Sequence, residues 1–70
     1  MIKLNRIFDA YFGDYGEYYT CEENIASMTV VERRMRFGFC KLTQITTFDG
    51  KKVEVSETPD EILKKFAKDK

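Results

Sequence analysis

Apolar residues recur along this chain with two different periods, and the switch between them separates a long β-rich part from a short helical tail. The opening Met1-Ile-Lys-Leu4 alternates at Ile2 and Leu4, then changes phase at Ile7 and Phe8, which predicts a strand running into a bulge. Residues 9–16 carry Asp9, Gly13, Asp14 and Gly16 and read as a loop. Glu17 to Cys21 predicts a short strand, Glu22-Glu23-Asn24 a turn, and Ile25 to Arg33 a third strand. Ile25, Met28, Val31 or Glu32, and Met35 also fit helical spacing. Thr29-Val30-Val31 favours the strand, because β-branched side chains lose χ1 freedom in a helix. Arg34 to Gly38 is then the turn into a strand over Lys41 to Thr47.

The last third is the most sharply punctuated. Asp49-Gly50 lies between two runs of β-branched residues, a strong hairpin signal. A two-residue loop would put Phe48, Thr46 and Gln44 on the face of Val53 and Val55. A type I turn with Gly50 in a left-handed bulge would pair Thr47 with Lys51 instead, so that Ile45 faces Val53 and Thr43 faces Val55. A one-residue slip exchanges the two faces, and the second register is preferred because it gathers Ile45, Val53 and Val55 on one side. After the hairpin, Thr58 is an N-cap, Pro59 suits the first helical position, and Glu61 completes a capping box. Asp60 and Glu61 suit the positive end of the helix dipole, and Lys64, Lys65, Lys68 and Lys70 the negative end. Ile62, Leu63 and Phe66, with Ala67 beside them, form the stripe expected to dock on the sheet. The fold class is therefore α+β and mostly β: a small four- to five-stranded antiparallel sheet or partly open barrel, with one helix over about residues 59–68, in a single domain.

Three stretches, Met1-Ile-Lys-Leu4, Asn24-Ile-Ala-Ser-Met28 and the run from Thr43 to Ile62, together resemble the FlbD-like small proteins. That family is associated with bacterial flagella and swarming motility, and similar short chains occur in phages and mobile elements. The shared pattern is Ile-Lys-Leu-Thr, an Asn-containing turn, a strand, a Gly-Lys-Lys turn, a strand and a short helix. What the resemblance implies for function is a small regulatory adaptor that binds a protein partner. Its motifs are structural, so no functional residue is carried across. This chain departs from the pattern by inserting an aromatic segment, Tyr11 to Tyr19, and a basic one, Arg33 to Phe39.

Composition narrows the chemistry. Twelve basic and twelve acidic residues cancel, so no overall field draws the chain to nucleic acid or to a membrane surface. No apolar run approaches the roughly 20 residues of a membrane span, and no secretory signal is visible, which points to a cytoplasmic protein. Cys21 and Cys40 could pair across neighbouring strands, but in that compartment they are expected as reduced, buried small hydrophobes. Histidine is absent, which removes the commonest general base and nitrogen ligand. No zinc spacing, phosphate loop or nucleophile elbow occurs, and Asp9, Asp14 and Glu17 fall short of a calcium site. The chain reads as a non-enzyme without metal or cofactor.

Two clusters remain. Tyr11-Phe-Gly-Asp-Tyr15-Gly-Glu-Tyr18-Tyr19 holds all four tyrosines. Phe12 and alternate tyrosines could complete a core. Alternatively Tyr11, Tyr15, Tyr18 and Tyr19 could stack a base or meet a partner, since the phenol is an amphipathic contact group with few rotors to immobilise. Arg33-Arg-Met-Arg36-Phe-Gly-Phe39 sets three arginines and two aromatics around the expected turn. Arg33, Arg34 and Arg36 could clamp phosphate bidentately, or Arg33 and Arg34 could form exposed ion pairs with Glu32 or Glu22. The leading expectation is a non-catalytic, homo-oligomeric binding protein that sequesters a phosphorylated, nucleotide-like signalling ligand, of phage or mobile-element type. Self-association follows from open sheet edges and a small core, with Met28, Met35, Phe37 and Phe39 as interface candidates. The alternatives are the adaptor just described and, against the zero net charge, a single-stranded nucleic-acid binder.

Overall fold

The computed structural model describes residues 1–69. Lys70, counted above among the helix-end lysines, lies outside the described residues. Five strands and one helix follow in order: β1 (Ile2–Asp9), β2 (Asp14–Thr20), a 3₁₀ turn (Glu22–Asn24), β3 (Ile25–Met35), β4 (Gly38–Thr47), β5 (Lys52–Val55) and α1 (Pro59–Asp69). The strands form one antiparallel sheet ordered β2-β1-β5-β4-β3, with β2 and β3 as its edges. It is an open sheet, not a barrel. No helix among the described residues is long and apolar enough to cross a membrane.

The main core lies between the sheet and α1. Ile2 and Leu4 of β1, Ile45 of β4, and Val53 and Val55 of β5 meet Ile62 and Phe66 of the helix, with Tyr18, Ile25 and Met28 at the margin. The β4–β5 register is the one that collects those apolar residues. Ile45 faces Val53 and Thr43 faces Val55, while the Thr47 N–H donates to the Lys51 carbonyl at 2.9 Å. Gly50 closes the turn at φ +88°, where a Cβ would be strained. The helix starts as its cap predicts, with the Glu61 N–H donating to Thr58 Oγ1 at 3.2 Å. Its stripe is narrower than expected: Ile62 and Phe66 are buried, but Leu63 is 53% exposed and Ala67 is also exposed. Four-residue spacing keeps Ile62 and Phe66 over the sheet and turns Leu63 aside.

The phase change in β1 is real: its pairing with β2 shifts register between Ile7 and Asp9. Just before the shift, Ile7, still in register opposite Tyr15 and an odd number of residues from Ile2 and Leu4, is buried apart from the main core, as is Leu42 of β4. With Tyr15, Met35 and Cys40 they line a small, mostly apolar cavity of about 220 Å³. β1 joins β5 through a single bridge, Arg6 to Val55, supported by the Ser56 N–H donating to the Asn5 carbonyl at 3.0 Å. Glu57 reinforces that seam. Its carboxylate is 6% exposed and accepts the Asn5 backbone N–H at 3.0 and 3.1 Å and the Asn5 side-chain amide at 3.1 Å. Its carbonyl accepts the Thr43 hydroxyl at 2.6 Å, so one residue ties β1, β4 and the start of α1 together.

Several expectations need correcting. Residues 14–16 are not loop: β2 begins at Asp14, because Asp9 Oδ1 accepts the Tyr11 and Phe12 N–H groups at 3.0 and 3.3 Å and tightens the turn. Arg34 belongs to β3, and the turn shrinks to Arg36-Phe37, since Arg33, Arg34 and Met35 continue the ladder opposite Cys40, Phe39 and Gly38. Phe12 does not complete the core; it sits at a hairpin tip, 75% exposed. The cysteines are free and half-buried rather than buried, and they are not on neighbouring strands: Cys21 follows β2, and Cys40 is on β4, with β1 and β5 between.

Candidate functional site

Two clefts on the surface share a wall. One, of about 680 Å³, runs between the end of β2 and the β4–β5 turn and is lined by Tyr18, Tyr19, Glu23, Phe48 and Lys51 among others. The second, of about 420 Å³, lies beside the end of β1 and takes in Phe8, Tyr11, Arg33, Arg34 and Glu54. Arg6 and Lys52 line both. The two therefore form one groove with cations at its middle and aromatic rings at either end.

Local structure explains the positions. Arg6 and Phe8 alternate along β1 and share a face, and the Arg6 guanidinium lies 4.7 Å from the Phe8 ring centroid. Gly16 pairs with Arg6 across the β1–β2 ladder, and any Cβ there would collide with the Phe8 ring. The missing side chain is what lets that ring lie flat beneath Arg6. Lys52 opens β5, directly after the tight turn.

Arg33 is committed to an internal partner. Its Nε donates to Glu54 Oε1 at 3.0 Å and Oε2 at 3.2 Å, and its Nη2 to Oε2 at 2.8 Å. That bidentate grip raises the guanidinium pKa further. The pairing expected with Glu32 or Glu22 is replaced by one across the sheet, because β4 and β5 carry Glu54 to the same side. Two of the other three carboxylates of the groove, all but Glu23, are also engaged locally. Asp9 caps the β1–β2 turn, and Asp49 accepts from the Thr47 hydroxyl and from the Lys51 N–H, which lowers its pKa. Arg6, Arg34 and Lys52 make no ion pair among the described residues and outnumber Glu23, the carboxylate left unengaged, so the charge left over in the groove is positive.

The residues singled out from sequence are distributed as follows. Tyr11, Arg33 and Arg34 come together in the smaller cleft, and Tyr18 and Tyr19 line the larger. Tyr19 donates its hydroxyl to Glu17 at 2.9 Å, and that carboxylate raises the phenol pKa. Tyr15 is separated from them on the small apolar cavity. Arg36 lies outside the groove, in a cleft of about 250 Å³ between the two hairpin tips with Tyr11, Phe12, Met35 and Phe37. Sequence reasoning missed Arg6, Phe8 and Lys52. The Arg6-x-Phe8 alternation on a strand was a usable signal for the first two; Lys52 had none.

Among the described residues no three acidic or cysteine side chains gather closely enough to hold a metal ion. Compared with known proteins, the chain matches no family model, no curated protein and no solved structure.

Proposed function

We propose that the protein is a non-catalytic, homo-oligomeric binder of a phosphorylated, nucleotide-like ligand, held in the groove between β1, β5 and the end of β2. The observation that carries this reading is the shared wall: Arg6 and Lys52 belong to both clefts, with Phe8 and Tyr11 on one side and Tyr18 and Tyr19 on the other. Phosphate oxygens suit Arg6, Arg34 and Lys52. Arg33 is spent on Glu54 through Nε and Nη2 and on the Glu32 carbonyl through Nη1, so its part is to order the wall beside Arg34. A base suits the exposed rings of Phe8, Tyr11 and Tyr19, where stacking contributes roughly 1–3 kcal/mol. Sequestration of a signalling nucleotide fits a site that has binding groups but no evident acid, base or nucleophile pair.

The test is a thermal-shift panel of linear and cyclic nucleotides on the wild type and on Arg6→Ala and Arg34→Ala. A ligand that binds only the native state adds about 2.7 kcal/mol at a hundredfold excess over its dissociation constant. The expected result is a shift with at least one nucleotide that both variants reduce. A shift that both variants preserve removes the groove from the assignment. No shift with any nucleotide favours the second reading, a FlbD-like adaptor. That reading draws on Phe12 and Phe37, 75% and 96% exposed at adjacent hairpin tips, as anchors for a protein partner.

A further inference from the structure

Sheet edges are normally guarded by charged side chains, proline or bulges, because an unpaired row of backbone N–H and C=O groups recruits another strand. The two edges here differ. β2 carries Asp14 and Glu17 within Asp14–Thr20. β3 has a register shift between Ile25 and Ser27, but from there through Thr29, Val30 and Val31 it has no charged residue and no proline. Ser27, Thr29 and Val30 are exposed. That stretch is rich in β-branched residues and extends for about 17 Å at 3.4 Å per residue. It is followed at once by Glu32-Arg33-Arg34 and, past Met35, by Arg36; it is preceded by Glu22-Glu23 in the 3₁₀ turn.

The charge order along this edge is opposite at its two ends, acidic at Glu22-Glu23 before and, past Glu32, basic at Arg33, Arg34 and Arg36 after. We infer that β3 is a homodimerisation strand: it pairs antiparallel with β3 of a second copy about a two-fold axis near Met28. Side chains keep their faces only if paired positions share parity, and centring on Met28 satisfies that while setting Thr29 against the partner's Ser27 and Val30 against the partner's Ala26. The same axis brings Arg33 and Arg34 beside the partner's Glu23 and the partner's Glu22, twice by symmetry. A parallel or heterologous arrangement would put like charges together at both ends. The occupant that matches this edge in length, chemistry and charge order is therefore another copy of the same strand. Arg34 and Glu23 line opposite clefts of the groove, so the dimer would place one protomer's large cleft near its partner's small one.

This inference rests on the homo-oligomeric part of the proposed function and is independent of the nucleotide. It is tested on ligand-free protein by sedimentation velocity across micromolar concentrations, with Glu22→Lys, Arg34→Glu and the double variant, which exchange the charges of one opposed pair. The wild type should sediment at twice the 8.3 kDa chain mass. Each single reversal should weaken association by about tenfold, from two symmetric exposed pairs per dimer. The double reversal should restore association, a recovery that simple misfolding would not give. A wild type monomeric throughout overturns the inference. So does a dimer that neither reversal weakens, which would assign self-association to another surface and leave the nucleotide panel to be judged separately.

Discussion

Replacing Glu57 by alanine should cost about 2 kcal/mol, far more than a residue just before a helix cap would ordinarily contribute. The side chain is almost fully buried, yet its carboxylate holds the backbone N–H and the side-chain amide of Asn5. Removing it leaves the Asn5 N–H in a partly buried position with no acceptor, a penalty of about 1–3 kcal/mol. The side-chain amide loses less, because Asn5 is exposed and water can replace the bond. Relief of the carboxylate's own desolvation offsets part of the loss. For a domain this size, total stability of roughly 0.05–0.15 kcal/mol per residue makes 2 kcal/mol a large share. The corresponding fall in Tm is about 8–16 °C. Glu57→Gln retains one acceptor and should lose about 1 kcal/mol; Asn5→Ala removes only the exposed amide bond and should lose less than about 0.5 kcal/mol. Urea titration followed by far-ultraviolet circular dichroism measures all three. Glu57→Ala within about 0.5 kcal/mol of wild type, or Asn5→Ala as damaging as Glu57→Ala, would refute the account of the β1 seam.

Two further outcomes follow from the fold. Ile62→Ala should lose about 2–4 kcal/mol, because Ile62 is fully buried, whereas Leu63→Ala on the neighbouring exposed position should change stability by less than about 0.5 kcal/mol in the same urea titration. Asp49 has a folded pKa below its ordinary value of 3.8, chiefly because its carboxylate accepts from the Thr47 hydroxyl and then from the Lys51 N–H. Its contribution is fully present above 3.8 and is lost as pH falls through the lowered folded value. Urea midpoints measured across acidic pH should therefore fall more steeply for wild type than for Asp49→Asn, and equal slopes would remove Asp49 from the acid response.

How far the sequence could be read depended on whether the signal was local. The β4–β5 hairpin and the start of α1 were legible because Asp49-Gly50 and Thr58-Pro59 act within a few residues, and a one-residue slip would have exposed Ile45. The shift after Ile7 was legible for the same reason. Local signals failed where a distant partner decided the outcome. Glu54 claims Arg33 from across the sheet, which no charge pattern near residue 33 foretold. The basic segment was read as a turn, yet most of it is strand, because the ladder to Phe39 and Cys40 outweighs a cluster of arginines. The tyrosines and arginines read as one set are distributed by the fold over several clefts. Alternation along β2 sends Tyr15 and Tyr18 to different surroundings, and Arg6 and Lys52 join from elements whose proximity is set by the fold.

The wall common to the two clefts has a thermodynamic consequence. Arg6 has one guanidinium and rests on Phe8, so an anion that draws it toward Tyr18 and Tyr19 must lift it from the other side. If the clefts bind anions as proposed, occupancy of one would alter the affinity of the other, and linkage would require the effect to be equal in both directions. Two separate anions would compete for that charge and bind with negative cooperativity. A single ligand whose phosphate sits at Arg6, with groups extending both ways, would avoid the conflict. On the proposed reading, the groove would discriminate between ligands by how their charge is distributed along their length as well as by how much they carry.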